Sequence, residues 1–375
     1  MSRYQLLSRS RSMIAGSVAT VLASLATGSV ATAATWIVRP DGSGDFPTIQ
    51  GAVTGAVDGD VILLTDGTFR GDGNRDVDLQ GKSLSIASQS GDPGSCLVDC
   101  EGSAVEPHRA LTISQAPTSQ CEVANVTFRG GEAPGPDGYG GAIYADGGSL
   151  RIVECRFDTG HAEFGGGVFQ ISGDLDLQSC EFVDNRSANV GGGVVCLNGT
   201  ARIAGCTFIA NIGDHGGGAV VVQEGEFVID ACTFHANAPD AIFAVGPGPP
   251  GNTDLSVSRT VIAFGIGVPV ACIETDVDIT CTDIFGNTGG DWVGCIANDS
   301  GRNGNISDDP LFCDPATGNL YIASSSPCAP AQSPDCGLIG AWPVGCDATP
   351  VQASSWGAIK WRLGASDTRP GARTP

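Results

Sequence analysis

The stretch from Gly140 to Asn237 decides the fold, because it repeats one short pattern four times. Each repeat begins with a glycine-rich tetrapeptide: Gly-Gly-Ala-Ile at 140–143, Gly-Gly-Gly-Val at 165–168, Gly-Gly-Gly-Val at 191–194 and Gly-Gly-Gly-Ala at 216–219. Each then reaches a Cys-x-Phe element: Cys155/Phe157, Cys180/Phe182, Cys206/Phe208 and Cys232/Phe234. The last three repeats place an Asn three residues after the Phe: Asn185, Asn211 and Asn237. Successive Phe residues lie 25, 26 and 26 positions apart, and a fixed period of this length is typical of a solenoid.

Within each repeat, apolar residues alternate with polar ones. The alternating pairs are Leu150/Ile152, Leu175/Leu177, Ala201/Ile203 and Phe227/Ile229. Short runs of period two, broken by Gly, Asp and Asn, predict strands joined by tight turns. A unit of this length holds three short strands, and parallel strands of successive units stack about 4.8 Å apart. We therefore predict an all-β fold, a single-stranded right-handed parallel β-helix, over residues 35–346.

The recurring positions have different expected roles. Cys155, Cys180, Cys206 and Cys232 should form an internal column of small apolar side chains. Stacked side chains point the same way, so their Cβ atoms lie slightly too far apart for disulfides. The glycines allow turns with positive φ, and the asparagines should stack their amides from coil to coil. The solvent-facing residues vary (Arg151, Asp176, Arg202, Val228), which indicates that the regular centre is scaffold.

The composition favours an exported protein. The formal net charge is −22 and there are only two lysines, which argues against nucleic-acid binding. Three arginines (Arg3, Arg9, Arg11), a small-residue apolar run and Ala31-Thr32-Ala33 predict a signal peptide over residues 1–34. No later stretch is apolar enough to span a bilayer. Fifteen cysteines, none of them in the signal peptide, suggest an oxidising compartment.

The cysteines beyond the regular repeats are expected to form disulfides, with the connectivity left open. They are Cys272, Cys281, Cys295, Cys313, Cys328, Cys336 and Cys346. Cys96 and Cys100 flank a turn and are a further candidate pair. The chain has no Cys-x-x-Cys with histidine partners, so no zinc site is predicted.

The N-terminal region shows a family resemblance. Residues 36–50 read Trp-Ile-Val-Arg-Pro-Asp-Gly-Ser-Gly-Asp-Phe-Pro-Thr-Ile-Gln, followed by an Ala/Val-rich segment and by Asp58-Gly-Asp-Val-Ile-Leu-Leu64. This resembles the opening of pectin-lyase-like β-helices, especially the DGSGDF-TIQ-AV opening of pectin methylesterases. The resemblance implies a short helix near 51–57 that caps the solenoid. It concerns the cap and carries no catalytic residue.

Two further resemblances point to bacterial surface proteins. The GGA-I/V and F-x-x-N elements resemble the repeats of polymorphic outer-membrane proteins. Residues 305–342 contain Asp-Asp-Pro-Leu-Phe, Gly-Asn-Leu-Tyr-Ile, Ser-Pro-Cys and Gly-Leu-Ile-Gly-Ala-Trp. This series resembles the ending of secreted bacterial β-helix proteins of the choice-of-anchor type, which implies the last coils and a C-terminal closure. Residues 347–375 are predicted to be a flexible or sorting-related tail, and deletion of 350–375 would test its role in surface retention.

Enzymes of this superfamily place catalytic groups on one outer face, and only fragments of their patterns occur here. Polygalacturonase-like fragments occur in the wrong order: His215-Gly216, Asn252-Thr253-Asp254, Asp308-Asp309 and Ile359-Lys360. Asp283-Ile-Phe-Gly286 matches one of the two aspartate elements of pectin methylesterases. Pectate lyases need Ca²⁺-binding carboxylates beside an Arg or Lys base, whereas Asp174/Asp176 and Asp276/Asp278 are expected to face solvent. The four histidines are also expected at the surface: His108, His161, His215 and His235.

These observations support two hypotheses. The first is a secreted or surface-exposed β-helix without catalytic activity, with a structural, adhesive or glycan-contacting role toward extracellular polysaccharide or cell-envelope components. The second is a polysaccharide lyase or glycoside hydrolase whose residues lie around Asp72–Asp78 or Asp276–Asp291. No catalytic residue is assigned, and no cofactor or metal is expected, with Ca²⁺ kept as an alternative.

Overall fold

The chain winds into a parallel β-helix, as the repeat predicts. The computed structural model describes residues 33–114, 119–135, 138–246 and 253–346. The tail predicted at 347–375 lies outside these ranges, as does the predicted signal peptide except for Ala33 and Ala34. In the described parts of the chain, no helix is long and apolar enough to cross a membrane.

One coil shows the path of the chain. It passes from Ile143–Asp146 to Ser149–Val153, then to Arg156–Asp158 and His161–Phe164. The next strand, Val168–Ile171, pairs in parallel with Ile143–Asp146, so the chain has returned to its starting position one coil further on. We name the four faces built by these strands face 1, face 2, face 3 and face 4, in the order in which the chain visits them.

The strands of each face stack in parallel register. Face 1 contains Val77–Asp78, Leu111–Ile113, Ile143–Asp146, Val168–Ile171, Ile242–Val245 and Val270–Ile273. Face 2 contains Thr35–Val38, Val61–Leu64, Ser85–Ser88, Cys121–Ala124, Ser149–Val153, Asp174–Gln178, Thr253–Ser258 and Asp276–Thr280. Val194–Ala204 and Val220–Asp230 run through face 1 into face 2 and join the two into one sheet.

The other two faces are separate sheets. Face 3 has nine strands: Gly67–Phe69, Cys96–Asp99, Thr127–Arg129, Arg156–Asp158, Glu181–Val183, Thr207–Ile209, Thr233–His235, Val261–Ala263 and Asp283–Phe285. Face 4 has four strands: Glu132–Ala133, His161–Phe164, Arg186–Val190 and Ile212–Gly213.

The interior is built from residue columns, because in-register stacking puts equivalent side chains on top of one another. Phe157, Phe182, Phe208 and Phe234 stack with ring centroids 4.6, 4.9 and 4.7 Å apart and nearly parallel planes. The Cys155, Cys180, Cys206 and Cys232 column is buried and its thiols are free, which confirms the prediction. Burial raises the pKa of Cys155, Cys180 and Cys206 well above the usual thiol value, so these groups stay protonated and behave as small apolar side chains.

The asparagines form a hydrogen-bonded ladder, also as predicted. The Asn185 amide nitrogen donates to the Asn211 Oδ1 at 3.0 Å, and the Asn211 amide nitrogen donates to the Asn237 Oδ1 at 3.0 Å. The ladder asparagines do not themselves adopt the left-handed conformation. The residue before each of them does so: Asp184, Ala210 and Ala236.

Two details of the repeat differ from the sequence prediction. Val220 pairs with Val194, so the fourth unit begins at Gly217, and Gly216 is an extra residue of the preceding loop. The sequence Cys281-Thr-Asp-Ile-Phe-Gly-Asn287 suggests the Cys-x-Phe-x-x-Asn element with one extra residue. The structure contains no insertion there, because Thr282 and Ile284 continue the cysteine and phenylalanine columns. Asn287 then lies at the ladder position, where its Oδ1 accepts from the Gly265 backbone N–H at 3.0 Å.

A short helix covers the N-terminal end, as the resemblance implied. It spans Ile49–Gly55, and Thr48 is its N-cap, since the Thr48 side chain accepts from the Gly51 N–H. Its apolar side, Ile49, Ala52 and Val53, is buried in the main core. The helix therefore shields apolar surface that the first coil would otherwise expose.

The C-terminal region does not add further regular coils, contrary to the prediction for residues 305–342. The 3₁₀ helix Gly294–Ile296 places Ile296 in the main core, and Cys272–Cys295 ties it to the last strand of face 1. After a single bridge between Ile306 and Asp283, the chain forms an antiparallel hairpin of Phe312–Asp314 and Asn319–Ile322. The turn of this hairpin contains the 3₁₀ helix Pro315–Thr317.

Residues 326–342 then run back along the outside of face 3, and we name them the C-terminal strap. The Gly340 N–H donates to the Arg259 carbonyl at 2.6 Å, and the Ala341 N–H donates to the Thr233 Oγ1 at 2.9 Å. The Trp342 Nε1 donates to the Thr207 Oγ1 at 2.9 Å. Outward threonines of the repeat thus anchor a segment that is more than a hundred residues distant in sequence.

Six of the seven C-terminal cysteines form disulfides: Cys272–Cys295, Cys281–Cys336 and Cys313–Cys346. Cys328 is the exception, a buried free thiol. The candidate pair Cys96 and Cys100 is wrong, since both are buried free thiols. Cys96 lies at the cysteine-column position of its coil, where its side chain points into the core.

Candidate functional site

The carboxylates of Asp72–Asp78 are all engaged by neighbouring groups. Asp76 accepts from the His108 ring at 2.6 Å and from the Arg109 N–H at 2.9 Å. Asp72 lies 3.6 Å from the Arg75 guanidinium, which also contacts Glu101 at 3.0 Å. Asp78 accepts from the Gln80 N–H of its own turn. These contacts form a network of ion pairs and hydrogen bonds that stabilises the early turns.

The aspartates in the range Asp276–Asp291 lie in three separate parts of the structure. Asp276 and Asp278 are exposed on the outside of face 2. Asp283 is fully buried between face 3 and the strap, where the Cys328 Sγ donates to its Oδ2 at 3.1 Å. Asp291 accepts from the Asn287 N–H at 2.9 Å and so stabilises its own loop. The structure does not bring these carboxylates together as one catalytic group.

The outside of face 2 changes character along its length. In its N-terminal half, Arg151 lies between two carboxylates, 2.6 Å from Glu122 and 3.4 Å from Asp176. In its C-terminal half, Glu226 pairs in register with Asp254, and Asp254 with Asp276. Three successive coils therefore present a carboxylate at the same outward position. Like charges directly opposite each other destabilise a sheet, so this arrangement is costly unless something neutralises it.

These carboxylates line an open groove of about 410 Å³. We name it the acidic groove and define it by the outward residues Glu226, Asp254, Asp276 and Asp278, with Val228 and Ser256 beside them. No Arg, Lys or His is among its lining residues in the part of the chain that the structure describes. The groove can accept hydrogen bonds and attract cations.

Within the described ranges, the enzyme-like sequence fragments do not meet in space. Asp254 lies in the acidic groove, whereas the His215 ring contacts the Ala188 carbonyl at 3.2 Å on the face 4 side of the coil. Asp309 accepts from the Leu311 N–H and stabilises a turn. Lys360 lies outside the described residues. Asp283, the aspartate of the pectin-methylesterase-like fragment, is covered by the strap.

The histidines other than His215 fall into two groups. His108 and His161 each contact a carboxylate through Nδ1 at 2.6 Å, from Asp76 and Glu132 respectively. His235 differs from the expected surface histidine, because it is half-buried and packs between Phe264 and Phe312. Burial lowers the pKa of His235, so its imidazole is neutral near pH 7.

Within the described ranges, no group of three or more His, Cys, Asp or Glu side chains is arranged to hold a metal ion.

Comparison with known proteins supports the fold. A family model described as "Right handed beta helix region" matches residues 111–267, which include the regular coils. No curated protein matches the sequence. Among solved structures, a pectin methylesterase from carrot is similar at 13% sequence identity and a TM-score of 0.28, over 73% of this chain and 88% of that one. This similarity is too low to transfer an activity. The protein is a right-handed parallel β-helix.

Proposed function

We propose that this chain is an exported, non-catalytic β-helix protein that binds uncharged or cationic glycans in the acidic groove, at the cell surface or in the extracellular space. The observation that carries the proposal is the stack of outward carboxylates from Glu226 to Asp276 on successive coils, without a basic residue among the groove-lining side chains.

The groove suits a hydroxyl-rich polymer. An ionised carboxylate is an acceptor only, and its hydrogen bonds from hydroxyl or ammonium groups are stronger than neutral ones. Coils repeat about every 4.8 Å, so the acceptors recur along the helix axis as sugar hydroxyls recur along an extended chain. Val228, an outward residue on the same strand as Glu226, supplies apolar surface against which the less polar face of a sugar ring can pack.

The same charges select against acidic polysaccharides. A polyuronate would place its own carboxylates against four carboxylates of the groove, in a protein whose formal net charge is already −22. A lyase acting on such a substrate also needs a base, typically Arg or Lys, and the groove contains neither. These features support binding of neutral or amino-sugar glycans without cleavage.

Export is supported by the covalent structure. Three disulfides fasten the C-terminal hairpin, strap and last coil. Such bonds persist in oxidising environments outside the cytosol. This agrees with the signal peptide predicted over residues 1–34.

Binding to three immobilised polysaccharides tests the proposal: a neutral β-glucan, a chitosan and a polygalacturonate. We expect chitosan to bind most strongly and to weaken as NaCl is raised, the β-glucan to bind with little salt dependence, and polygalacturonate not to bind. The variant Asp254→Asn/Asp276→Asn should lose at least tenfold in affinity for chitosan. The matched control, Glu106→Gln/Asp335→Asn, removes two exposed charges outside the groove and should bind normally. Equal loss in both variants would show a general charge effect and contradict the proposal.

A glycoside hydrolase is the second candidate, because Asp254 and Asp276 occupy adjacent coils. Retaining hydrolases use two carboxylates about 5–5.5 Å apart, a separation close to the coil spacing. Reducing-end release from the same polysaccharides, with and without Ca²⁺, distinguishes the two candidates. Turnover that Asp254→Asn abolishes would replace the binding role by a catalytic one.

A further inference from the structure

A second cavity lies on face 3, away from the acidic groove on face 2. It has a volume of about 430 Å³ and is enclosed between the outside of face 3 and the hairpin turn Pro315–Gly318. We name it the hairpin pocket. Its size is within the range of small-molecule sites. Its wall on the face 3 side comes from outward residues of several coils, including Val183, Ile209 and His235.

One end of the hairpin pocket is polar and nearly neutral in charge. Glu181 and Arg156 form an ion pair at 2.7 Å, and the Glu181 side chain is only 15% exposed. Asp184, an exposed residue in the left-handed conformation, adds one carboxylate at the rim. The paired guanidinium and carboxylate provide fixed donors and acceptors, while their opposite charges largely cancel.

His235 is unexpected at its position. In register it lies beside Ile209 and Ala263, so neighbouring coils have aliphatic residues there. Its Nδ1 is buried and has no hydrogen-bond partner, which is costly for a polar atom. Phe264 and Phe312 pack edge-on against the ring, each with centroids 5.8 Å away, and fix its orientation. A packing role would be served better by an aliphatic side chain, so the imidazole points to a role toward a ligand. Because Nδ1 is buried, the contact with a ligand would be made by the other ring nitrogen, Nε2.

We propose that the hairpin pocket binds one uncharged sugar ring. The ring would pack its apolar side on Val183 and Ile209, and its hydroxyls would bond to the Glu181–Arg156 pair and to the His235 imidazole. A neutral imidazole can donate or accept, and so matches a hydroxyl in either sense. An anionic ligand is disfavoured, since the guanidinium is already paired and Asp184 adds negative charge.

The hairpin forms one wall of this site, and its disulfide holds it in place. Cys313 lies in the first hairpin strand and is joined to Cys346, which follows the strap. The strap in turn is anchored to Thr207 on face 3 through Trp342. The pocket is therefore expected to need the oxidised protein.

Titration of the oxidised full chain with methyl glycosides of glucose, galactose, mannose and N-acetylglucosamine, and with galacturonate, tests the proposal. We monitor it by calorimetry and by ¹⁵N shifts of the imidazoles. At least one neutral glycoside should bind saturably and shift the His235 ring nitrogens, while galacturonate should not bind. His235→Ile, which copies Ile209 of the neighbouring coil, should fold normally and lose at least tenfold in affinity, as should Glu181→Gln.

Two controls separate this site from the acidic groove. His215→Ala, which removes a different imidazole, should leave glycoside affinity unchanged, and Asp254→Asn/Asp276→Asn should leave the glycoside-induced shift of the His235 ring nitrogens unchanged. If polysaccharides do not bind in the acidic groove but glycosides still bind, the proposed function is wrong and the proposal for the hairpin pocket is retained. Absence of saturable binding by every neutral glycoside, or unchanged affinity in His235→Ile, would overturn the pocket proposal.

Discussion

The asparagine ladder gives the sharpest test of how the coils hold together. The Asn211 side chain is fully buried and makes four hydrogen bonds to neighbouring coils. Its Oδ1 accepts from the Asn185 N–H and from the Asn185 amide nitrogen, and its own amide nitrogen donates to the Phe182 carbonyl and to the Asn237 Oδ1. Asn211→Ala removes all four and leaves the buried Asn185 N–H without this partner.

The cost follows from these contacts. A typical internal hydrogen bond contributes about 1 kcal/mol net, and an orphaned buried donor costs about 1–3 kcal/mol, so we expect Asn211→Ala to lower the free energy of unfolding by about 4–6 kcal/mol. Asn185→Ala should cost somewhat less, because Asn185 Oδ1 serves only the backbone N–H of Gly160, the glycine that replaces the ladder residue in the first repeat. Asn198, an exposed residue within the strand Val194–Ala204 with φ of 54°, is the matched control. Asn198→Ala should cost about 1–2 kcal/mol for its left-handed backbone.

Urea unfolding followed by far-UV circular dichroism provides the measurement, with stability compared at constant m value. Hydrogen exchange of residues 180–240 should show where the protection is lost. The expected order of destabilisation is Asn211, Asn185, Asn198. If Asn211→Ala costs no more than Asn198→Ala, the ladder does not stabilise the coils, and the reasoning from buried amide bonds is wrong. Should Asn211→Ala fail to fold, the ranking of Asn185→Ala against Asn198→Ala still decides the matter.

Three further predictions concern the strap and the coil turns. Burial raises the pKa of Asp283 to about 6, above its ordinary value of 3.8. The contribution of Asp283 to stability is therefore fully present below pH 3.8 and is lost as the pH rises through 6, and the loss is about 3 kcal/mol. Asp283→Asn should abolish this pH dependence, which limited proteolysis of the strap would measure. Cys281→Ser/Cys336→Ser opens a loop of 55 residues, and should cost about 4 kcal/mol in thermal unfolding and release the strap before the coils. Gly192→Ala should cost about 1–3 kcal/mol, because its Cβ would overlap the Gly218 carbonyl oxygen. A Cβ at Gly205 would make only ordinary van der Waals contact with Ser179, so Gly205→Ala should show only the smaller cost of its left-handed backbone. Equal melting temperatures for the two variants would contradict this account.

The regular coils could be predicted from the sequence because of how a parallel solenoid is built. In-register stacking gives equivalent positions the same environment. The sequence therefore shows one buried column at Phe157, Phe182, Phe208 and Phe234, and one ladder at the asparagines. The alternation of apolar residues sets which side chains enter the core. The sequence prediction was wrong where an equivalent position holds a different residue type, as at Thr282 and Ile284. The residue types alone do not show which positions are in register.

Neither surface proposed to bind ligand could be found in this way. The acidic groove depends on which outward residues of different coils become neighbours, and Glu226, Asp254 and Asp276 are 28 and 22 positions apart, a spacing that departs from the regular repeat. An alignment of the outward positions of all coils would have been needed to detect the acidic groove from the sequence. The hairpin pocket is even harder to predict, because the segment that encloses it contacts coils far upstream in the sequence. Trp342, for example, bonds to Thr207, 135 residues earlier.

The sequence by itself therefore determined the coil, its core columns and its turn residues, because these follow from local periodicity and from contacts between adjacent repeats. Only the tertiary structure decided where the last forty described residues go. Their path is set by a few long-range contacts, namely the Cys281–Cys336 and Cys313–Cys346 disulfides, the Cys328–Asp283 hydrogen bond and the anchoring of the strap to outward threonines. Such contacts have no period, and they convert one outer face of a regular scaffold into an enclosed pocket.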